Sequence, residues 1–246
     1  MPEYSEHAQS IDLALNGSLP IDNNNAAYHF ITDVKNGLGL NQLQSRSIHS
    51  FTSDYALYWF DYIGGYDTVF AEFGSNQSAA QAITFDRGAA QMQNKTWGAI
   101  ITWTYDQPPY IENASAMYND LVTGYIAGAK YEIVFDYPQI QNNPYGILTD
   151  EHFSALENFW NKIPTLKVNN APDVALVLPH NYGWAMRNQQ DLIWGVWKPD
   201  NTSEQIWNIS RKLLSEYGLN LDIVYDDQQF PVQGKYQQIY FWNQTI

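Results

Sequence analysis

Four times between Ile48 and Pro138 an apolar, β-type run stops at a carboxylate or a turn, and a helix-like stretch then carries the chain back. The runs are 48–54, 68–72, 100–106 and 131–136, and they end at Asp54, Glu72, Asp106 and Asp136. Parallel strands joined by crossover helices gather their C-terminal ends on one face, where α/β proteins keep their chemistry. The expectation is an α/β fold with four acidic residues converging beside Trp103 and Tyr105.

Helix-like segments 55–63, 78–93, 113–128 and 149–163 separate or follow these strands, the third strand being extended to 97–105. The segment 55–63 is ambiguous by periodicity, and a helix fits because two parallel strands need a crossover between them. Thr149-Asp150-Glu151 caps the last helix of the set. The unit spacing is roughly the 30 residues of a (β/α)₈ barrel. Upstream, residues 1–47 read as a helical segment, with Asn23-Asn24-Asn25 offering an N-cap and Gly37 and Gly39 fraying a helix over 26–43.

A polar linker near 167–172 ends the first set. Strand 174–178, helix 203–217 closed by Gly218, strand 221–225 and strand 237–242 then predict a small doubly wound α/β unit over 172–246. The barrel-like part is thus 48–168. Between the two, 179–199 is irregular and rich in Trp and Asn, and 184–197 is a candidate contact for a second copy.

The formal charge of −14 argues against nucleic acid and anionic membranes as partners, and no run approaches the ~18 apolar residues of a membrane span. With no cysteine, disulfides, thiolate metal sites and cysteine nucleophiles are out. Five scattered histidines share no ligand spacing, so no zinc site is expected; His180, at a strand end, is the one that could face a ligand. Glycine loops for phosphate and dinucleotides are missing, and no cofactor is expected. Seven sequons, at Asn16, Asn76, Asn94, Asn113, Asn201, Asn208 and Asn243, exceed the roughly two that chance would give. They point to an extracellular or cell-surface glycoprotein, although Met1 to Glu6 is no signal peptide.

Glu72 is the sharpest site candidate, since a carboxylate ending a buried strand is costly without a purpose. Its structural alternative is helix capping or pairing with Arg87. Asp54 is as well explained by capping, and Asp106 and Asp136 would work or orient loops from neighbouring strand ends. Any two could form the carboxylate pair of a glycosidase, separated by ~5 Å for retention or ~6.5–9.5 Å for inversion. Trp103, Tyr105 and Tyr110 are candidate sugar platforms, because the C–H faces of pyranoses are apolar, and Arg87 is a further candidate for the substrate side.

Phe70-Ala71-Glu72-Phe73-Gly74, Arg87-Gly88-Ala89-Ala90 and Trp97-Gly98-Ala99-Ile100-Ile101-Thr102-Trp103 resemble the second half of a glycoside-hydrolase-like (β/α)₈ barrel. Residues 174–243 are similar to the small Rossmann-like or flavodoxin-like domain that follows the barrel in β-galactosidase-like proteins. The likeness extends to secreted archaeal proteins of no settled substrate. It implies a protein acting on or binding a neutral polysaccharide, with Glu72 as nucleophile or acid/base and Asp106 or Asp54 opposite. Trp103 and Tyr105 would stack the sugar and Asp136 would hold hydroxyls. Only four barrel-type strands are visible, so half a barrel is expected, and a non-catalytic glycan-binding or assembly module is the alternative.

Overall fold

A computed structural model describes residues 16–17, 19–37, 39–74, 78–101, 112–135, 148–169 and 171–245. Helix α1 (Asn23–Thr32) runs through a π-helical turn, Asp33–Gly37, and is followed by α2 (Leu40–Ser45). The cap of α1 is Asp22, whose side chain accepts from the Asn25 amide at 2.9 Å, so the cap lies one residue before the asparagine run.

The alternation then appears as expected: β1 (Phe51–Asp54), α3 (Tyr58–Gly64), β2 (Thr68–Phe73), α4 (Ala79–Met92), β3 (Thr96–Ile101), α5 (Ala114–Ile126), β4 (Tyr131–Val134) and α6 (Asp150–Lys162). Strands β1 to β4 pair in sequence order, all parallel. That order is the one successive right-handed crossovers produce. The second set is β5 (Val174–Leu178), α7 (Asn201–Tyr217), β6 (Leu221–Tyr225) and β7 (Gln238–Phe241), forming a parallel sheet of order β6-β5-β7. Every residue of β5 and β6 is buried, which is why both read as continuous apolar runs.

Register decides which side chains share a face. In the first sheet Phe51 pairs with Thr68, Phe70 with Gly98, and Gly98 with Tyr131. One face therefore carries Phe51, Ser53, Thr68, Phe70, Glu72, Thr96, Gly98, Ile100, Tyr131 and Ile133, because side chains alternate along a strand. The other carries Val69, Ala71, Phe73, Trp97, Ala99 and Ile101, all buried. In a flat sheet β1 and β4 would stand about 14 Å apart. The rings of Phe51 and Tyr131 nevertheless meet edge-on at 5.4 Å between centroids, so the sheet curls with the first face concave. Gly98 permits this layer, since a Cβ there would lie 2.5 Å from the Phe70 ring. The sheet is open among the described residues: four strands curve as a barrel wall does, without closing.

Helix α4 joins the two sheets. The Asp226 amide donates to the Leu178 carbonyl, so alternate residues of β6 face β5 and the carbonyls of Leu221 and Ile223 face outward. Helix α4 lies on that edge: a Cβ at Gly88 would be 2.8 Å from the Ile223 oxygen, and Arg87 donates to the Leu221 oxygen at 2.9 Å. A free strand edge is thereby covered.

The Trp-rich segment folds inward. Trp184, Met186 and Ile193 are buried, Trp197 nearly so, and the Trp184 indole donates to the Asp191 carbonyl at 2.8 Å. Trp194 packs on Phe30 and Phe60. The expectation of a self-association surface over 184–197 is corrected here, because the tryptophans serve the chain's own core.

Candidate functional site

Of the four carboxylates expected to converge, Asp54 and Glu72 are among the described residues. Asp54 pairs in register with Ala71, so its side chain leaves on the helix-facing side, while Glu72, the next residue of β2, leaves on the concave side. Oδ1 of Asp54 accepts from the amides of Tyr55, Ala56 (2.8 Å) and Leu57 (3.2 Å), holding the chain that enters α3. Asp54 is therefore the entry anchor of α3, and strand alternation sets it on the face opposite Glu72. Asp106, Asp136, Trp103, Tyr105 and Tyr110 lie outside the described residues.

Glu72 sits at the C-terminal end of β2, half-buried, and makes no hydrogen bond or ion pair with a described residue. Within β1 to β4 it is the one carboxylate on the concave face. Below it lies the ring layer: Phe51 stacks on Phe70 at 6.1 Å, and His49 packs on Phe51 at 4.6 Å. Exposed Ser53 shares the row of Phe70, Gly98 and Tyr131, and Glu72 shares the next row with Ile100 on β3 and exposed Ile133 on β4. The face thus has an aromatic floor, apolar walls and a single acid at the end of the strands where ligands bind in α/β folds.

Arg87 is not part of a cleft. Its side chain is fully buried, with Nε 2.9 Å from Asp222 Oδ1 and one terminal nitrogen donating to the carbonyls of Leu219 and Leu221. Asp222 also accepts from the Tyr236 hydroxyl at 3.0 Å. The substrate role expected of Arg87 is corrected: a guanidinium closed on all sides by its own chain cannot reach a saccharide.

On the helix side of the sheet a second acidic group is sealed from solvent. Burial, then the charge of Asp54 and a hydrogen bond shared with it, push the Asp61 carboxyl well above the usual range. Burial likewise raises Asp86, although the Tyr62 hydroxyl donates to its Oδ1 at 2.8 Å. Protons held by such carboxyls let them lie near one another without mutual repulsion. With no opening onto them, these groups serve packing between α3, α4 and β2.

His180 is exposed and its Nδ1 lies 2.7 Å from the Asp226 carbonyl. Among the described residues no group of three or more histidine, aspartate or glutamate side chains could hold a metal ion. No helix among them is long and apolar enough to cross a membrane. Six of the seven sequon asparagines, Asn16, Asn94, Asn113, Asn201, Asn208 and Asn243, are exposed; Asn76 lies outside the described residues.

One pocket was not foreseen. Tyr55, Ser78, Gln81, Arg187 and Arg211 line a cavity of about 90 Å³ just past the C-terminal ends of β1 and β2. Arg187 and Arg211 stand 24 positions apart in sequence and no local pattern joins them; scarcity of cations was the only signal, with 12 Lys and Arg in the chain.

Compared with known proteins, the chain matches no family model, no curated protein and no solved structure.

Proposed function

We propose that the concave face of the first sheet binds a neutral saccharide without cleaving it, in an extracellular glycoprotein. The observation that carries this reading is Glu72, an acid above an aromatic floor with no hydrogen bond or ion pair to a described residue, although burial and, behind it, the Glu72 charge help raise the Tyr58 hydroxyl. A carboxylate there accepts from paired sugar hydroxyls, while apolar C–H faces pack on Ile133 and the ring layer. Hydrolysis needs a second carboxylate across the cleft. Among the described residues of this face Glu72 is the one acid, and binding is the reading taken here. The exposed sequon asparagines support glycosylation and an extracellular location, since an attached glycan must be at the surface.

A panel of neutral oligosaccharides, read by calorimetry and by product release, tests this. Saturable binding weakened about tenfold in Glu72→Gln, with no product, is the expected result; tenfold is ~1.4 kcal/mol. Product release that Glu72→Gln abolishes would return hydrolysis, with Asp106 or Asp136 as partner. Assembly is the competing reading, because Phe51 (48% exposed), Ile133 (41%) and Phe135 (39%) stand on or beside the two edge strands. Light scattering that shows a dimer, together with no saccharide binding, would favour it.

A further inference from the structure

We propose that the cavity between Arg187 and Arg211 binds a tetrahedral oxyanion, a phosphate or sulfate group, at a site separate from the concave face. The cavity lies past the ends of β1 and β2, between Tyr55 and the first turn of α4. Its volume, about 90 Å³, suits a group of that size. Two guanidinium groups border one small cavity in a chain of net charge −14, Arg187 paired with Asp191 and Arg211 with no carboxylate among the described residues.

Arg211 carries most of the weight. It has no carboxylate partner among the described residues. One terminal nitrogen donates to Gln81 Oε1 and to the Met186 carbonyl, and its plane stacks on Trp207 at 4.2 Å. Its Nε is buried and has no acceptor. A half-buried cation with an unused donor is costly, and a ligand oxygen accepting from that side chain removes part of the cost. Burial also draws its pKa below the usual arginine value, in keeping with a charge lacking an opposite partner.

Arg187 completes the site from the other wall. Its guanidinium lies 5.7 Å above the Tyr55 ring and reaches Asp191 through Nε at 3.2 Å and a terminal nitrogen at 3.1 Å. Asp191 is held independently by the amides of Arg187 and Asn188 and by the Asn188 side chain, so Arg187 can turn donors to a ligand without releasing it. Guanidinium forks match phosphate and sulfate oxygens in pairs, and the amides in the first turn of α4 add favourable dipole.

The test uses the whole chain, titrated with inorganic phosphate and with sulfate at constant ionic strength by calorimetry and thermal shift. Saturable binding with a dissociation constant of millimolar or tighter is expected, weakened at least tenfold in Arg211→Gln and severalfold in Arg187→Gln. Lys212→Gln, which removes the same charge from the exposed side of α7, should leave binding unchanged. If Arg211→Gln fails to fold, Arg187→Gln decides, because Asp191 keeps its other donors. No saturable binding by the unaltered chain at tens of millimolar, or equal weakening by all three variants, overturns the site. Tighter binding of acetate than of sulfate overturns the tetrahedral assignment.

Discussion

Asp54 and Glu72 stand at neighbouring strand ends, one register step apart, and their side chains leave the sheet on opposite faces. The first is bound to three backbone amides at the entry of α3 and the second is open to the concave face. Their consequences on mutation therefore separate. Asp54→Ala removes the acceptor for three amides and should cost about 1–2 kcal/mol of stability, by analogy with the loss of a helix cap. Its saccharide affinity should stay within twofold of the unaltered chain. Urea denaturation read beside calorimetry checks both, and a selective loss of affinity in Asp54→Ala would join the two carboxylates in one site after all.

Arg87 and Asp222 are an ion pair with no solvent contact, joining α4 to β6 across 135 positions of sequence. Removing one member strands the other charge in the interior, at a cost of about 3–5 kcal/mol. Arg87→Met and Asp222→Leu should each destabilise on that scale, and Asp222→Leu also frees the Tyr236 hydroxyl. The double variant should lose much less than the summed single losses, because neither charge remains. A double-mutant cycle in urea measures the difference. Strict additivity would mean that the pair does not couple the two sheets.

The alternation of strand and helix was legible because its physical causes are local. Val174 to Leu178 must be a buried strand, and 55–63 must be a crossover because β1 and β2 are parallel. The facing of Asp54 and Glu72 was not. It depends on whether β1 and β2 pair at an odd or an even offset, and Asp54 opposite Ala71 makes it odd. One residue of slip would have turned both acids to the same face. The partner of Arg87 was hidden for a similar reason: nothing near position 87 signals an acid in the second sheet. The tryptophans of 184–197 looked like contact surface because composition cannot tell an aromatic that binds a partner from one that fills a core.

Stability should fall as the pH rises from weakly acidic to weakly alkaline. Burial pushes Glu132 up to about 8, and burial with the nearby Asp120 pushes Glu112 up to about 7. Asp61 and Asp86 shift in the same direction. Each holds its proton in the folded chain at a pH where the unfolded chain has released it. That contribution is complete below the unfolded value of about 4 and is lost as pH rises through the folded values. Melting temperatures at pH 5 to 9 should decline, each kcal/mol lost being worth roughly 2–4 °C. Glu132→Gln, which stays neutral, should flatten the fall between pH 6 and 9, and an unchanged slope would remove Glu132 from the account.

Gly88 sets how closely α4 approaches the edge of β6. A Cβ at that position would stand 2.8 Å from the Ile223 oxygen and 3.1 Å from side-chain atoms of Asp222 and Val224. The nearest obstacle is backbone, which cannot rotate away, so Gly88→Ala must push helix and strand apart. Alanine ordinarily stabilises a helix interior over glycine by roughly 0.5–1 kcal/mol. Overpacking at a rigid contact costs typically 1–3 kcal/mol, so the clash should win and the variant should be less stable by urea denaturation. The same displacement lengthens the Arg87–Asp222 contact, so Arg87→Met should cost less in a Gly88→Ala background than in the unaltered chain. Greater stability in Gly88→Ala would mean that α4 does not rest on the edge of β6.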